Sequence, residues 1–488
     1  MEILLTPTNY YHYILLLANF VITFLSAWHA LLYKRDPKAS LGWLAVILMF
    51  PVIGYFLYFL LGINRIRTRA RKLAGKLPFN GFIGFEPAEE YPALPDSSRS
   101  LLPVSRGHAE IANIANSITG IPLTSGNRID ILHNGEKAYP AMLDAIDMAE
   151  HSIFLSTYIF KTDHTGRQFI DKLAGAKERG VEVKVILDGI GEYYSLPGAG
   201  RLLKKRGIDV TRFIPPALIP PSIHINLRNH RKILVVDKKT GFTGGMNIGS
   251  YNLADNLSNK SRVIDVHFRI QGPVVSQIAR VFIDDWNFIT NENIEVDPLE
   301  DSIEKKGSKC RVISEGPDED FNKLATILVG AIASARKRVL IMTPYFLPTR
   351  EMISALQTAA LKGVSVDIIL PQKNNLPYVH WATRNMLWEL LQRGVRVYYQ
   401  PPPFVHTKLF VVDDYYAHIG TANMDPRSLR LNFELALEVY DSEFVSLLSE
   451  HMLNCREQSK QVTLAEMDSR QLLTRTRDAL AWLLYPYL

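Results

Sequence analysis

Between about residues 130 and 480 the chain repeats itself, and a repeat restricts a fold more than composition can. Residues 138–159, AYPAMLDAIDMAEHSIFLSTYI, read as a helix running into a short strand. Residues 324–346, LATILVGAIASARKRVLIMTPYF, have the same order. Each is followed by a helix ending AKERG or AALKG, then VEVKVILDG or VSVDIILPQ, then LLKKRGIDVTRF or LLQRGVRVYYQ. Gly180 and Gly363 close equivalent helices, where a residue able to adopt positive φ is useful. Short strands dense in Val and Ile, alternating with helices, predict a parallel or mixed sheet covered on both faces. Two tandem α/β units are therefore expected, 129–295 and 320–488, joined by a polar linker at 296–319.

Each unit ends its strand series on one polar pattern. The first is His230-Arg231-Lys232, four apolar residues and Asp237, then Gly244, Gly245 and Asn247. The second is His406-Thr407-Lys408, four apolar residues and Asp413, then Gly420, Thr421, Asn423 and Ser428. The shared form is H-x-K-x(4)-D followed by G-[GT]-x-N. A lone His-x-Lys is ordinarily an exposed strand edge. Matching His, Lys, Asp, Gly and Asn twice, at one spacing, inside a repeat visible without them, is not. Alternate side chains of a strand face one side, so each His is expected to point with its Lys, with the Asp at the far end. Two such halves facing each other supply two imidazoles, two ammoniums and two amides. One histidine can attack phosphorus while the other protonates the departing oxygen. The lysines and asparagines can hold nonbridging phosphoryl oxygens. Nearby carboxylates are too few for a two-metal site, and a lysine beside each histidine suits zinc poorly, so neither metal nor cofactor is expected.

The first seventy residues belong to a different solvent. Tyr13 to Tyr33 is free of Asp, Glu, Lys and Arg over about 21 residues, enough to cross the hydrocarbon core as a helix. A second uncharged run covers Leu41–Ile63, with Pro51 and Gly54 inside it. A cleaved signal peptide needs a basic start and one shorter apolar run, whereas this chain begins Met1-Glu2 and has two long ones. Two spans, about 13–33 and 41–63, are expected in an anchor covering 1–76. Arg65, Arg67, Arg69, Arg71, Lys72 and Lys76 follow without an acidic residue, which places the body on the cytoplasmic side of a cell membrane and draws anionic lipid. That cluster of six equals the whole formal charge of +6, so the remainder is balanced and nucleic acid is not an expected partner. Residues 77–128 read as irregular linker with one peripheral helix near 107–118. Cys310 and Cys455 are too few for a disulfide scaffold or a four-cysteine metal centre.

The paired motifs resemble those of the phospholipase D superfamily. The longer stretches NLRNHRKILVVDKKTGFTGGMNIGSYN and FVHTKLFVVDDYYAHIGTANMDPRSLRLNFELALEVYD are similar to bacterial cardiolipin synthases, and the resemblance covers nearly the whole chain. It implies two α/β/α sandwiches with the active site at their pseudo-twofold interface. It also implies transfer of a phosphatidyl group from one phosphatidylglycerol to another with release of glycerol. His230 is then the nucleophile and His406 the acid and base. Lys232, Lys408, Asn247 and Asn423 hold the phosphoryl group, and Asp237 and Asp413 complete the catalytic motifs by orienting neighbours. Glu434 matches a family glutamate that supports the histidine of the opposite half, Asp265 is its candidate counterpart, and Ser428 fits the extended second motif. Three places depart from the family pattern: Arg262-Val263-Ile264-Asp265 lacks an aromatic, Asn374 and Asn375 stand where an aspartate is common, and QPPPFVH is unusually rich in proline. Tyr193, Tyr194, His380 and Trp381 stay open between a lipid channel and ordinary packing. The competing functions are a phospholipase D or phosphatidyltransferase with another alcohol acceptor, a superfamily nuclease, and a membrane scaffold without activity. An oligomer is left open.

Overall fold

The computed structural model describes residues 7–34, 37–62, 106–215, 227–295, 306–316 and 322–485. It divides into two compact units, 1–75 and 76–488.

In the amino-terminal unit, Pro7–Tyr33 is one helix, and its segment Tyr10–Tyr33 is the one described helix long and apolar enough to cross a membrane. The second apolar run is not a single helix. It is Pro37–Met49, then Pro51–Leu57, then a π turn at Tyr58–Gly62. Phe50 leaves helical geometry at φ −129°, and Pro51, which has no N–H, starts the next segment. Ala30, Ile47 and Tyr58 pack between the runs, and His29 Nδ1 lies 2.8 Å from the Tyr58 hydroxyl. Ile63 and the basic cluster 65–76 lie outside the described residues.

The larger unit is built on one mixed sheet of 15 strands. The first half contributes β1 (Thr124–His133), β2 (Ser152–Thr157), β3 (Glu182–Asp188), β4 (Asp209–Phe213), β5 (Ile233–Val236), β6 (Thr240–Gly244) and β8 (Val266–Gln271), after a short β7 (Val263–Ile264). The second contributes β9 (Ser308–Glu315), β10 (Arg338–Met342), β11 (Ser365–Pro371) and β12 (Arg396–Gln400). After a short β13 (Phe404–Val405) come β14 (Leu409–Val412), β15 (Tyr416–Gly420), β16 (Glu434–Tyr440) and β17 (Lys460–Val462). Across the sheet the order is β4-β3-β2-β5-β6-β8-β1, then β9-β16-β15-β14-β10-β11-β12, with β17 added at the edge. The second series is the first in mirror sequence, so the duplication is a pseudo-twofold at the β1–β9 seam. β2, β5, β10 and β14 are buried almost throughout, as strands covered on both faces must be.

Three packed layers follow. Helices Val274–Thr290 and Ser442–Glu457 cover one face across both halves. On the other face, Asn134–Asp147, His164–Glu178 and Ala199–Lys205 cover the first half. Lys323–Ser334, Arg350–Leu361, Pro377–Leu391 and Arg106–Thr119 cover the second. The helices before β3 and β11 end alike. Gly180 takes φ +90° and Gly363 φ +89°, and the next residue donates back to Ala176 or Ala359.

Two boundaries differ from expectation. Residues 308–315 are not linker but β9, and β1 begins at 124, inside the expected 77–128 linker. Together they form the seam. The segment SKCRVISE reads as polar because its Arg311 is charged, yet Arg311 is fully buried against Glu438 of β16, with Nη2 at 2.8 Å. An ion pair made by the fold cannot be seen in a hydropathy pattern. The remaining linker, 296–305 and 317–319, lies outside the described residues.

Candidate active site

Neither motif histidine sits within a strand. Residues 230–232 and 406–408 are extended approaches to β5 and β14. Their hydrogen bonds therefore go to the other half rather than to a neighbour in their own ladder. The His230 N–H donates to the Phe433 carbonyl at 2.9 Å, and the His406 N–H donates to the Ile264 carbonyl at 2.8 Å. Each acceptor is the residue before a carboxylate, Glu434 or Asp265. The parallel pairing of β13 with β7 sets this approach on one side, and the parallel bridge Asn229–Phe433 sets it on the other.

The carboxylates cross over in the same way. His230 Nδ1 lies 3.0 Å from Glu434 Oε1, and His406 Nδ1 lies 2.9 Å from Asp265 Oδ2. Both carboxylates are fully buried. Register makes them equivalent. Gly244 of β6 faces His267 of β8, Gly420 of β15 faces Ala436 of β16, and two residues back lie Asp265 and Glu434. A carboxylate on Nδ1 fixes the tautomer and leaves Nε2 as the reactive nitrogen of each ring. Thr421 donates its hydroxyl to Glu434 at 2.6 Å. At the equivalent Gly245, a Cβ would lie 2.2 Å from Asp265 Oδ1, so the shorter carboxylate needs glycine beneath it.

Lys232 and Lys408 fold back symmetrically, their Nζ atoms donating to the carbonyls of His230 at 2.7 Å and His406 at 2.6 Å. Burial, only partly opposed by Glu434, lowers Lys232 to about 7. Burial, opposed by Asp265 and Glu434, lowers Lys408 to about 8. Burial and then Lys408 lower His406 to about 4, and burial lowers His230 against the pull of Glu434. Burial alone would raise Glu434, but His230, Lys232 and the Thr421 hydroxyl outweigh it and hold the carboxyl below its ordinary range. The resting site thus holds neutral imidazoles beside poised ammoniums, a field that a bound phosphodiester anion would relieve.

A cleft of about 770 Å³ opens over these groups, lined from both halves by His230, Asn247, His406, Asn423 and Ser428 among others. The Ile159 N–H donates to Asn247 Oδ1 at 3.2 Å, leaving the Asn247 amide NH2 as its donor edge. Asn423 Nδ2 lies 3.1 Å from Ser428 Oγ, while Asn423 Oδ1 is buried without a partner among the described residues. With the amide turned over, Ser428 would donate to Oδ1 and the NH2 would take the buried, unpartnered position as a donor. Tyr158 sets its ring edge-on to His230 at 5.3 Å, and Tyr345, held by Asn375 at 2.7 Å, does so to His406 at 6.2 Å. Of the four aromatics left open, Tyr194 lines the cleft, whereas Tyr193, His380 and Trp381 do not.

Asp237 and Asp413 are not brought to the site. Asp237 accepts the N–H groups of Glu150, His151 and Ser152 at 2.7–3.0 Å, and Asp413 accepts those of Arg336, Lys337 and Arg338 at 2.7–3.2 Å. Each lies beyond the far end of its strand, at positive φ, pinning the start of β2 or β10. The motif carries them because the strand has one length in both halves. Sequence reasoning also missed several residues. Arg231 donates to the Glu434 and Glu315 carbonyls at 3.0 Å and pairs with buried Asp285, so it holds the strand end that carries Glu434. Its one signal was an arginine between two motif residues in a buried stretch. Asp425, raised by burial to about 6, lines the cleft and caps the short helix Pro426–Arg430 through the Ser428 N–H.

Two α/β halves that share one cleft, each presenting a histidine and each bracing the other's, define the phospholipase D-like class of phosphodiester enzymes. A crystal structure of phosphatidylserine synthase from Haemophilus influenzae Rd KW20 has the same fold, with TM-score 0.62 and 17% identity over 78% of this chain and all of that one. The particular family follows from sequence: the model described as "Cardiolipin synthase, PLD-like domain" matches residues 142–286 and 328–456, and the chain belongs to that family. A phospholipase D-nuclease N-terminal model matches 21–62. Among curated relatives, cardiolipin synthase 2 of Staphylococcus epidermidis is 31% identical over 97% of this chain and 98% of its own. The cardiolipin synthase of Alkalihalophilus pseudofirmus is 32% identical over 93% and 90%.

Proposed function

We propose that this chain makes cardiolipin from two molecules of phosphatidylglycerol, releasing glycerol. The observation that carries this reading is the crossed bracing of two histidines over one cleft, in a chain that matches cardiolipin synthases from end to end. His230 Nε2 attacks the phosphorus of the first lipid. The P–O bond to glycerol breaks, His406 gives that oxygen its proton, and a phosphatidyl-histidine remains. His406, now neutral, takes the proton from the terminal hydroxyl of the second lipid. That oxygen attacks phosphorus, the P–N bond breaks, and its electron pair returns to His230. Lys232, Lys408 and the Asn247 and Asn423 amides stabilise the charge spread over the nonbridging oxygens. The arriving phosphodiester anion raises His406 from its low resting value, which lets it act as the acid.

Glu434 supports His230 as nucleophile. Its carboxylate is doubly held, by Nδ1 and by Thr421, and stabilises the imidazolium character that grows when Nε2 bonds to phosphorus. Asp237 and Asp413 act as positioning residues only. For the anchor, Pro7–Tyr33 and the broken run 37–62 form a two-span hairpin, and the basic cluster 65–76 keeps the catalytic body in the cytoplasm against anionic lipid.

The test is incubation of the full chain in vesicles with phosphatidylglycerol and a chelator, without nucleotide. Cardiolipin and glycerol in equal amounts are expected. Phosphatidic acid alone would make the protein a hydrolase. A new diester formed only when another alcohol is supplied would move the assignment to that acceptor.

A further inference from the structure

The helix Leu472–Trp482 is built inside out. At 100° per residue, Leu472, Leu473, Thr476, Leu480, Leu483 and Leu484 fall within an arc of about 120°, with Asp478 and Ala481 roughly opposite. In an ordinary surface helix the leucine arc would face the core. Here Asp478 is the fully buried residue, while Leu472, Leu473 and Leu480 are 76%, 83% and 60% exposed. The inward orientation is fixed by charge. Arg384 grips Asp478 with contacts of 2.8–3.1 Å, Arg470 adds one of 2.6 Å and Arg477 two, of 2.9 and 3.2 Å. Three arginines around one buried aspartate leave no freedom to turn the leucines inward. A helix that spends an ion cluster on keeping its apolar face outward is matched to a solvent that is itself apolar.

We infer that this face lies on an anionic phospholipid bilayer and seats the catalytic body on its substrate surface. Charge fits, because Arg470, Arg475 and Arg477 stand against Asp478 alone along the helix and the turn before it. Position fits as well. Arg384 belongs to the helix Pro377–Leu391, whose first turn gives Tyr378 and Val379 to the cleft. Tyr485 bonds the Pro348 carbonyl at 3.1 Å, three residues from Tyr345 of the cleft wall. From the first half, Leu196 is 91% exposed, two residues beyond Tyr194 of the same cleft. The inference rests on the proposed function only in naming the lipid surface as the source of substrate.

The experiment uses the full chain with Cys455→Ser, Cys310 being buried, and a Leu473→Cys substitution carrying an environment-sensitive fluorophore. It is reconstituted in bilayers of phosphatidylcholine with phosphatidylserine, an anionic lipid that is not the proposed substrate. A blue-shifted probe, quenched by spin labels on the lipid tails, is expected. The same probe at exposed Lys205 should stay aqueous. A probe at 473 in water, or one that is dry yet untouched by tail quenchers because protein covers it, overturns the inference. In parallel, L472S/L473S/L480S should lose about tenfold more rate on bilayer phosphatidylglycerol than on short-chain, monomeric phosphatidylglycerol. Equal losses on both would contradict it. The probe reads insertion without turnover, so failure of the catalytic reading would not be mistaken for failure of this one.

Discussion

Glu434 and Asp265 hold equivalent places yet are not interchangeable. Glu434 reaches its histidine with a hydroxyl beneath it, whereas Asp265 sits over bare glycine. Gly245→Ala should therefore displace Asp265 and lower kcat through His406, while Thr421→Ala weakens the hold on Glu434 and removes the hydroxyl that accepts the Leu435 N–H at 2.9 Å. Glu434→Gln and Asp265→Asn keep the shape but lose the charge, and kcat should fall about 10²- to 10⁴-fold in each, by analogy with carboxylate loss behind other catalytic histidines. The pH dependence has a definite sign. In the free enzyme the Lys408 ammonium is lost as pH rises through about 8 and that of Lys232 through about 7, so kcat/KM should decline on the alkaline side in that range. Lys408→Arg keeps its charge at every pH, so it should remove the step near 8 and leave the Lys232 step near 7, as a pH–rate profile would show. The residues to which the proposed chemistry is assigned were legible because their types recur at fixed spacing. Arg231, Asp285 and Asp425 were not, since their importance comes from partners far away in sequence. Glu434 and Asp265 came into view by family resemblance, not by local pattern.

Elements explain why the motif has its length. The apolar runs Ile233–Val236 and Leu409–Val412 are central strands, and the aspartate that follows each pins the start of the neighbouring strand. Asp413→Asn should lower the melting temperature, costing about 1–3 kcal/mol for a poorly satisfied buried amide, and Asp237→Asn, at a half-buried site, should lower it by less. Their fall in kcat per folded molecule should be at least tenfold smaller than that of H230A. At the seam, Arg311→Ala leaves Glu438 buried without its cation and should cost about 3–5 kcal/mol in denaturant unfolding. Strand and helix order was readable from Val and Ile density and from Gly180 and Gly363. The seam strand β9 was not, because its burial rests on a buried ion pair. The second apolar run was read as one helix, although Pro51 splits it.

At the scale of the molecule, duplication has become interdependence. The two halves form one sheet, and neither histidine has its carboxylate without the other half. The cleft belongs to both, which suits the proposed reaction, in which the same lipid is taken twice in different roles. The division of labour between the two histidines is the centre of this account. It is tested most directly by mixing the full chain with phosphate-labelled phosphatidylglycerol, quenching in alkali, where a phosphorus–nitrogen bond survives, and mapping the labelled peptide. Label on His230, absent from H230A, is predicted. Label that persists in H230A and vanishes in H406A would reverse the roles, and cardiolipin formed at full rate with label on neither histidine would contradict the covalent mechanism.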